Sequence, residues 1–303
     1  MSRQSILVTG ATGKQGGALV NALLGWKADF QILAVTRDAN SASAKRLAAK
    51  SSNIVLIQGN LDDAEDIFKQ AEKKATGGSI WGVYSVQTPA MNKTGPIIEE
   101  AQGKSMVDLA VKHGVKHFVY SSVDRGGERS INNPTNIPHF VSKHNVEHHL
   151  INGAKGTDMA WTILRPVAFM ENFDGGFVGK AFATAWKLVV KSRPLQLIAT
   201  EDIGVFAAKS FLQPREFAGK AISLAGDELT YEQMVQVFKR KTGGPPPETF
   251  GLVARMVLWA SKEMGTMFSF FEKEGYGANI PELKKVHPGL INFETWLAKN
   301  HKA

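Results

Sequence analysis

Val8-Thr9-Gly10-Ala11-Thr12-Gly13-Lys14-Gln15-Gly16 joins a β-branched run to a helical one, with glycines three residues apart. The pattern is G-x-x-G-x-x-G. Gly10 lets the chain turn sharply off a strand. Gly13 keeps a Cβ out of the way of a pyrophosphate, and Gly16 lets the helix lie close to the sheet. The helix start then offers N–H groups and partial positive charge to an anion. Thr12, Lys14 and Gln15 share the loop, so they join the three glycines as candidate dinucleotide contacts. A glycine-rich turn used only for packing is the plainer alternative.

The sequence around this turn supplies a context for it. Strand-like runs at 5–10, 31–37, 53–58, 82–87 and 117–121 alternate with helical spacing at 16–24, 43–50, 64–75 and 96–113. Five repeats of strand then helix predict a Rossmann-type, doubly wound parallel α/β sheet with right-handed crossovers. A sixth strand is expected at 160–164, after a helix at 142–152. Beyond Arg165 the pattern changes. Residues 171–185 are rich in Phe and Gly with no strand period. A short strand is expected near 191–197, helices at 202–212 and 230–242, and a strand at 221–225. The stretch 252–275 reads as one or two helices carrying Met256, Trp259, Met264, Met267, Phe268, Phe270 and Phe271. At helical spacing such a stripe is read as core or as the wall of an apolar pocket. The expected division is a dinucleotide-binding domain over 1–165, also receiving 202–226, and a smaller, mainly helical lobe over 166–303.

Composition narrows the function. The chain has 303 residues, is 43% hydrophobic and 21% charged, and has no cysteine. Thiolate nucleophiles, disulfides and Cys-based zinc sites are therefore excluded. The formal charge of +8 is spread in short mixed clusters, so direct nucleic-acid binding is not expected. There is no run of ~18 apolar residues to suggest a membrane span. The opening MSRQSILVTG lacks the apolar core of a signal peptide. The expectation is a cytoplasmic protein, present also in the nucleus if it is regulatory.

Further residues refine the ligand. The second strand runs into Thr36-Arg37-Asp38. An acid here bonds a ribose 2′-hydroxyl, whereas an Arg just beyond the strand receives a 2′-phosphate. Arg37 favours NADP, with NADPH preferred over NADH, and Asp38 is the NAD-type alternative. Asn60 and Leu61, after the third strand, and Gln87 and Thr88, after the fourth, stand at the edge where ligands bind in this fold. Asp62 or Asp63 there also reads as a helix N-cap.

TGATGKQGG, VTRD, QGKSMVDLAVKHGVKHFVYSS, HFVSKHNVE, ILRPVAFMENF and the closing NFETWLAKN together resemble the NmrA-like proteins. These are atypical short-chain dehydrogenase/reductases, similar also to isoflavone-reductase-type enzymes, and the resemblance covers nearly the whole chain. It implies an NADP-preferring Rossmann domain with a smaller substrate lobe. It implies two kinds of role: reductases of a small-molecule substrate, and dinucleotide sensors that act through a regulatory protein partner. In typical short-chain dehydrogenases a Tyr-x-x-x-Lys pair works at the nicotinamide. Here His139-Phe140-Val141-Ser142-Lys143 puts His139 at the Tyr position and keeps Lys143. His139 titrates near neutral pH and is a candidate proton donor. Lys143 is the candidate ribose holder, either as part of catalysis or in binding alone. Ser122, or Ser121 beside it at the end of the fifth strand, is a candidate to polarise a carbonyl as the superfamily's Ser does. Lys104 resembles the family's Lys near the cofactor phosphates, with a plain helix-surface Lys as the alternative. Pro166 and Phe169 resemble the turn over the nicotinamide, and Phe169 and Phe173 would wall an apolar pocket. His144-Asn145-Val146-Glu147-His148 fits the H-x-x-E-H zinc pattern, but it lies within the Lys143 helix and has no downstream acidic ligand. No metal site is expected.

Overall fold

The computed structural model describes residues 3–88 and 94–301. In chain order the elements are β1 (Gln4–Val8), α1 (Lys14–Gly25), β2 (Phe30–Thr36), α2 (Ala42–Ala48), β3 (Ile54–Gln58), α3 (Ala64–Lys74), β4 (Gly82–Ser85), α4 (Gly95–Lys112), β5 (His117–Ser121), α5 (Pro138–Gly153) and β6 (Ala160–Pro166). There follow β7 (Ala168–Phe169), α6 (Gly176–Ala185), β8 (Leu195–Ile198), α7 (Thr200–Leu212), α8 (Pro214–Phe217), β9 (Lys220–Leu224) and β10 (Asp227–Leu229). The chain ends in helices α9 (Tyr231–Thr242), α10 (Gly251–Ala260), α11 (Lys262–Lys273), α12 (Ile280–Val286) and α13 (Phe293–Asn300). No helix among the described residues is long and apolar enough to cross a membrane.

The main sheet has the order β3-β2-β1-β4-β5-β6-β9, and β1 to β6 pair in parallel. The order reverses between β1 and β4, which is where ligands bind in such sheets. β1 and β5 are almost wholly buried, as strands covered by helices on both faces must be. Helix α3 shows how sequence makes an element here. Asp63 caps it by accepting from the Asp66 amide, Lys73 and Lys74 close it, and Ala64, Ile67, Phe68 and Ala71 form one buried stripe.

The chain divides into two compact units. The first holds residues 3–122, Val141–Arg165 and Ile203–Ile222; the second holds Val123–Phe140, Pro166–Asp202 and 223–301. Residues 123–140, read above with the dinucleotide-binding half, thus belong to the second unit. Val123, Ile137 and Phe140 bury themselves there with Phe268, Phe270 and Phe293. The first unit has its own core of Leu7, Phe68, Val107, Phe118 and Ile163 among others.

In the second unit, β10, β8 and β7 form a small three-stranded sheet. Only a strand near β8 is anticipated from sequence, because strands of two to four residues show no period. The segment 171–185 folds into a 3-10 turn and α6. The expected stripe over 252–275 divides between α10 and α11. Phe268, Phe270 and Phe271 are core, whereas Met256 and Trp259 are exposed. Phe173 is core too, packed edge-on against Phe182 and Phe293, and so does not wall an open pocket.

Candidate functional site

The glycine turn sits where β1 gives way to α1. Gly10 has φ +58, and a Cβ there would meet the Val86 side chain at 2.9 Å, so the turn lies against the end of β4. Thr9 ties the same place: its hydroxyl donates to the Val86 carbonyl at 3.0 Å and accepts from the Val86 amide at 2.8 Å. A Cβ on Gly16 would run into the Gly10 carbonyl and lie 2.8 Å from the Thr9 oxygen. α1 can therefore approach the turn only because residue 16 is glycine. The N-cap is Gly13, which has no side chain to accept from the first-turn amides. Thr12, Gly13 and Lys14 are exposed beside it. Ser121, at the end of β5, donates to Gln15 Oε1 at 2.6 Å and so fixes the start of α1 to the same sheet edge.

This edge fits a dinucleotide. Gln87 is buried, donates to Ser85 Oγ at 2.8 Å, and its Oε1 has no hydrogen-bond partner among the described residues. A buried amide oxygen left without a donor costs ~1–3 kcal/mol, and a ligand's donor at the strand end would satisfy it. Thr88 is exposed next to it, while Pro89 lies outside the described residues.

Arg37 is exposed just past β2. The Asp38 carboxylate is engaged locally, accepting from the Asn40 amide at 2.8 Å. Asn60 caps the short turn that contains Leu61, and its side-chain amide donates to Asp62 at 2.7 Å. Lys104 forms an ion pair with Glu100 at 2.5 Å. It also lines an open hollow of about 330 Å³ with His144, Asn145, His148, His149 and Asn152. Burial works to raise the Glu100 carboxyl, but hydrogen bonds from Lys104 and Asn145 hold it below its ordinary range. His144 and His148 face each other with Nε2 atoms 3.1 Å apart. Among the described residues no three His, Asp or Glu gather as a metal site.

The candidate catalytic residues all have acidic partners that sequence reading missed. Lys143 Nζ lies 2.5 Å from Glu99 Oε1, and Ser142 Oγ donates to Glu99 Oε2 at 2.7 Å. Ser122 donates its hydroxyl to Glu147, which Arg165 grips from Nη2 at 2.6 Å and Nε at 3.1 Å. Glu99, Glu147 and Arg165 are all buried. In the second unit, His139 Nδ1 is bound to Glu263, and its ring lies edge-on to Phe140 at 4.7 Å. Also there, Pro166 is buried and its carbonyl accepts from the Asp124 amide at 3.0 Å, and Phe169 is half-buried at the end of β7. None of these pairings had a sequence signal: the i+4 spacing of Lys143 and Glu147 points to a pair between those two, whereas Lys143 meets Glu99 and Glu147 meets Ser122 and Arg165.

The sequence profile of the NmrA-like family matches residues 2–297. An NmrA-like family domain-containing oxidoreductase, hkm9 of Aspergillus hancockii, is 27% identical over 255 residues, covering 78% of this chain and 72% of its own. Among solved structures, the Citrobacter sp. triphenylmethane reductase complexed with NADP(H) superposes with a TM-score of 0.75 at 17% identity, covering 98% of this chain and 99% of its own. NmrA, a negative transcriptional regulator, in complex with NADP gives a TM-score of 0.69 at 17% identity, with 99% and 95% covered. At these identities the two structures speak for the fold.

Proposed function

The chain belongs to the NmrA-like family, and from that premise we propose that it is an NADPH-dependent reductase of a small apolar carbonyl, imine or enone. The observation that carries this reading is the glycine turn at the reversal of sheet order, with its α1 N-terminus lacking a side-chain cap. The first-turn amides of α1 bind the pyrophosphate. Arg37 forks the 2′-phosphate, since the Asp38 carboxylate is already used by the Asn40 amide. Lys143 carries three N–H donors, of which Glu99 takes one, so two remain to hold the nicotinamide ribose. The bound dinucleotide would supply the hydride. Ser122 has its hydroxyl proton committed to Glu147, so the proton is supplied by His139, which Glu263 orients, or by a water.

A second reading has its own observation. Lys143 and Ser122 already hold internal acidic partners, an arrangement that suits binding without chemistry. On this reading the protein is a dinucleotide sensor read by a protein partner. The experiment is to incubate the protein with NADPH and a panel of aldehydes, quinones, enones and imines and follow NADPH absorbance. Steady consumption with one substrate class supports the reductase. Tight NADPH binding with no turnover across the panel overturns it in favour of the sensor.

A further inference from the structure

Lys143 meets a buried carboxylate on a different helix. Glu99 lies on α4, with its side chain fully shielded from solvent, and the Lys143 side chain is 11% exposed. The two carboxylate oxygens have separate tasks: Oε1 takes the ammonium at 2.5 Å and Oε2 takes the Ser142 hydroxyl at 2.7 Å. Ser142 therefore fixes the plane of the carboxylate, and the carboxylate fixes the ammonium. Gly103, one turn further along α4, allows the approach of α5, since a Cβ there would lie 2.7 Å from the Val146 side chain. A buried charge is retained only when paired in good geometry, and here both partners are fixed.

We propose that Glu99 is the positioning residue for Lys143 and also its counter-charge, and that this compensation keeps the protein from discriminating electrostatically between the oxidised and reduced dinucleotide. This rests on the reading that Lys143 holds the nicotinamide ribose. An oxidised nicotinamide ring carries a positive charge and a reduced ring is neutral. A bare ammonium beside it disfavours the oxidised form. Glu99 cancels that charge, so the site accepts both forms and releases neither selectively on electrostatic grounds. Positioning follows from the same contact. The ammonium is compact and its stem flexible, and Glu99 removes the freedom that ribose binding would otherwise have to restrict.

The test is the ratio of dissociation constants for NADP+ and NADPH, measured by calorimetry on the full chain without any substrate. Glu99→Gln leaves the ammonium uncompensated and should raise the NADP+ to NADPH ratio by at least about tenfold, since at an effective dielectric near 20 a unit charge does so from as far as ~12 Å. Lys143→Met leaves the carboxylate and should move the ratio by a similar factor the other way. The double variant Glu99→Gln/Lys143→Met removes both charges and should bind both forms more weakly at the wild-type ratio. Glu99→Asp keeps the charge but withdraws the contact by one methylene, so it should weaken both forms alike. The two single variants predict opposite signs, so either one that folds decides the matter. A merely structural Glu99 would weaken both forms equally. A ratio within twofold of wild type in a single variant that folds and binds overturns the proposal. Failure of the wild type to bind either dinucleotide ends the cofactor reading itself, and this inference with it.

Discussion

Arg37 is exposed just past β2, while its neighbour Asp38 is tied to the Asn40 amide. Arg37→Ala should therefore weaken NADPH much more than NADH. A hydrogen bond to a charged group contributes ~1.5–3 kcal/mol, which corresponds to about tenfold to a hundredfold in NADPH affinity. Equal losses for both, measured by fluorescence titration, would remove the 2′-phosphate role. His139 makes a different claim. If it donates the proton, His139→Phe should lower kcat by ~10²–10⁴-fold, the usual range for general acid catalysis, while leaving NADPH affinity near wild type. His117 offers a test of stability. Its Nε2 meets Thr162 Oγ1 at 2.9 Å, and Thr162 donates to the Phe217 carbonyl at 2.9 Å. The hydroxyl proton is thus spent, so Nε2 must be the donor, and Nδ1 is buried without a partner among the described residues. Burial accordingly pushes the imidazole down to about 4. The unfolded chain, at its ordinary ~6.5, takes up a proton first as pH falls. Stability is therefore full above about pH 6.5 and declines toward pH 4. Each unit is worth ~1.4 kcal/mol, so about 2 kcal/mol should be lost by pH 5. Urea unfolding of His117→Phe should lack this part of the acid loss; an unchanged slope would refute the assignment.

At the scale of elements, the β1–α1 turn separates folding from binding. Among the described residues a Cβ on Gly13 would press on the Gly10 carbonyl alone, at 3.2 Å, a close contact that a shift of a few tenths of an ångström relieves. Gly13→Val should therefore fold, with a melting temperature close to wild type, yet lose dinucleotide binding because the side chain fills the anion's place. Unchanged affinity by calorimetry would defeat the claim. This turn was legible in sequence because its residues are contiguous and its glycines answer local demands. Most strands of the main sheet were legible for the same reason: β1, β2, β4, β5 and β6 each show a buried run, and boundaries moved by only a residue or two. The acidic partners were not. Glu99 reaches Lys143 across 44 positions and Glu147 reaches Ser122 across 25. Sequence periodicity says which face of a helix is buried, and not which carboxylate on another helix it will meet. The three-stranded sheet stayed hidden because it is made of strands from distant parts of the chain. β10 runs antiparallel to β8, and β7 parallel to it.

For the whole molecule, each unit is assembled from three separated segments. The first unit needs Ile203, Phe206 and Phe211 of α7, all buried, as well as residues before 165. A fragment of residues 1–165 therefore lacks part of its own sheet and carries 123–140 without the core that segment joins. It should give no cooperative thermal transition, whereas the full chain should; a sharp melt of the fragment would show that 203–222 is dispensable.

The same interleaving governs how the protein is made. A ribosome delivers the chain from its first residue at ~5–20 residues per second, so Val123, Ile137 and Phe140 emerge well before Phe268, Phe270 and Phe293, the rings they bury against. For roughly 6 to 30 seconds at that rate, these side chains face solvent with those partners still untranslated. The interval lengthens with any pause in synthesis after residue 140, and with it the time in which the exposed apolar segment can meet other chains.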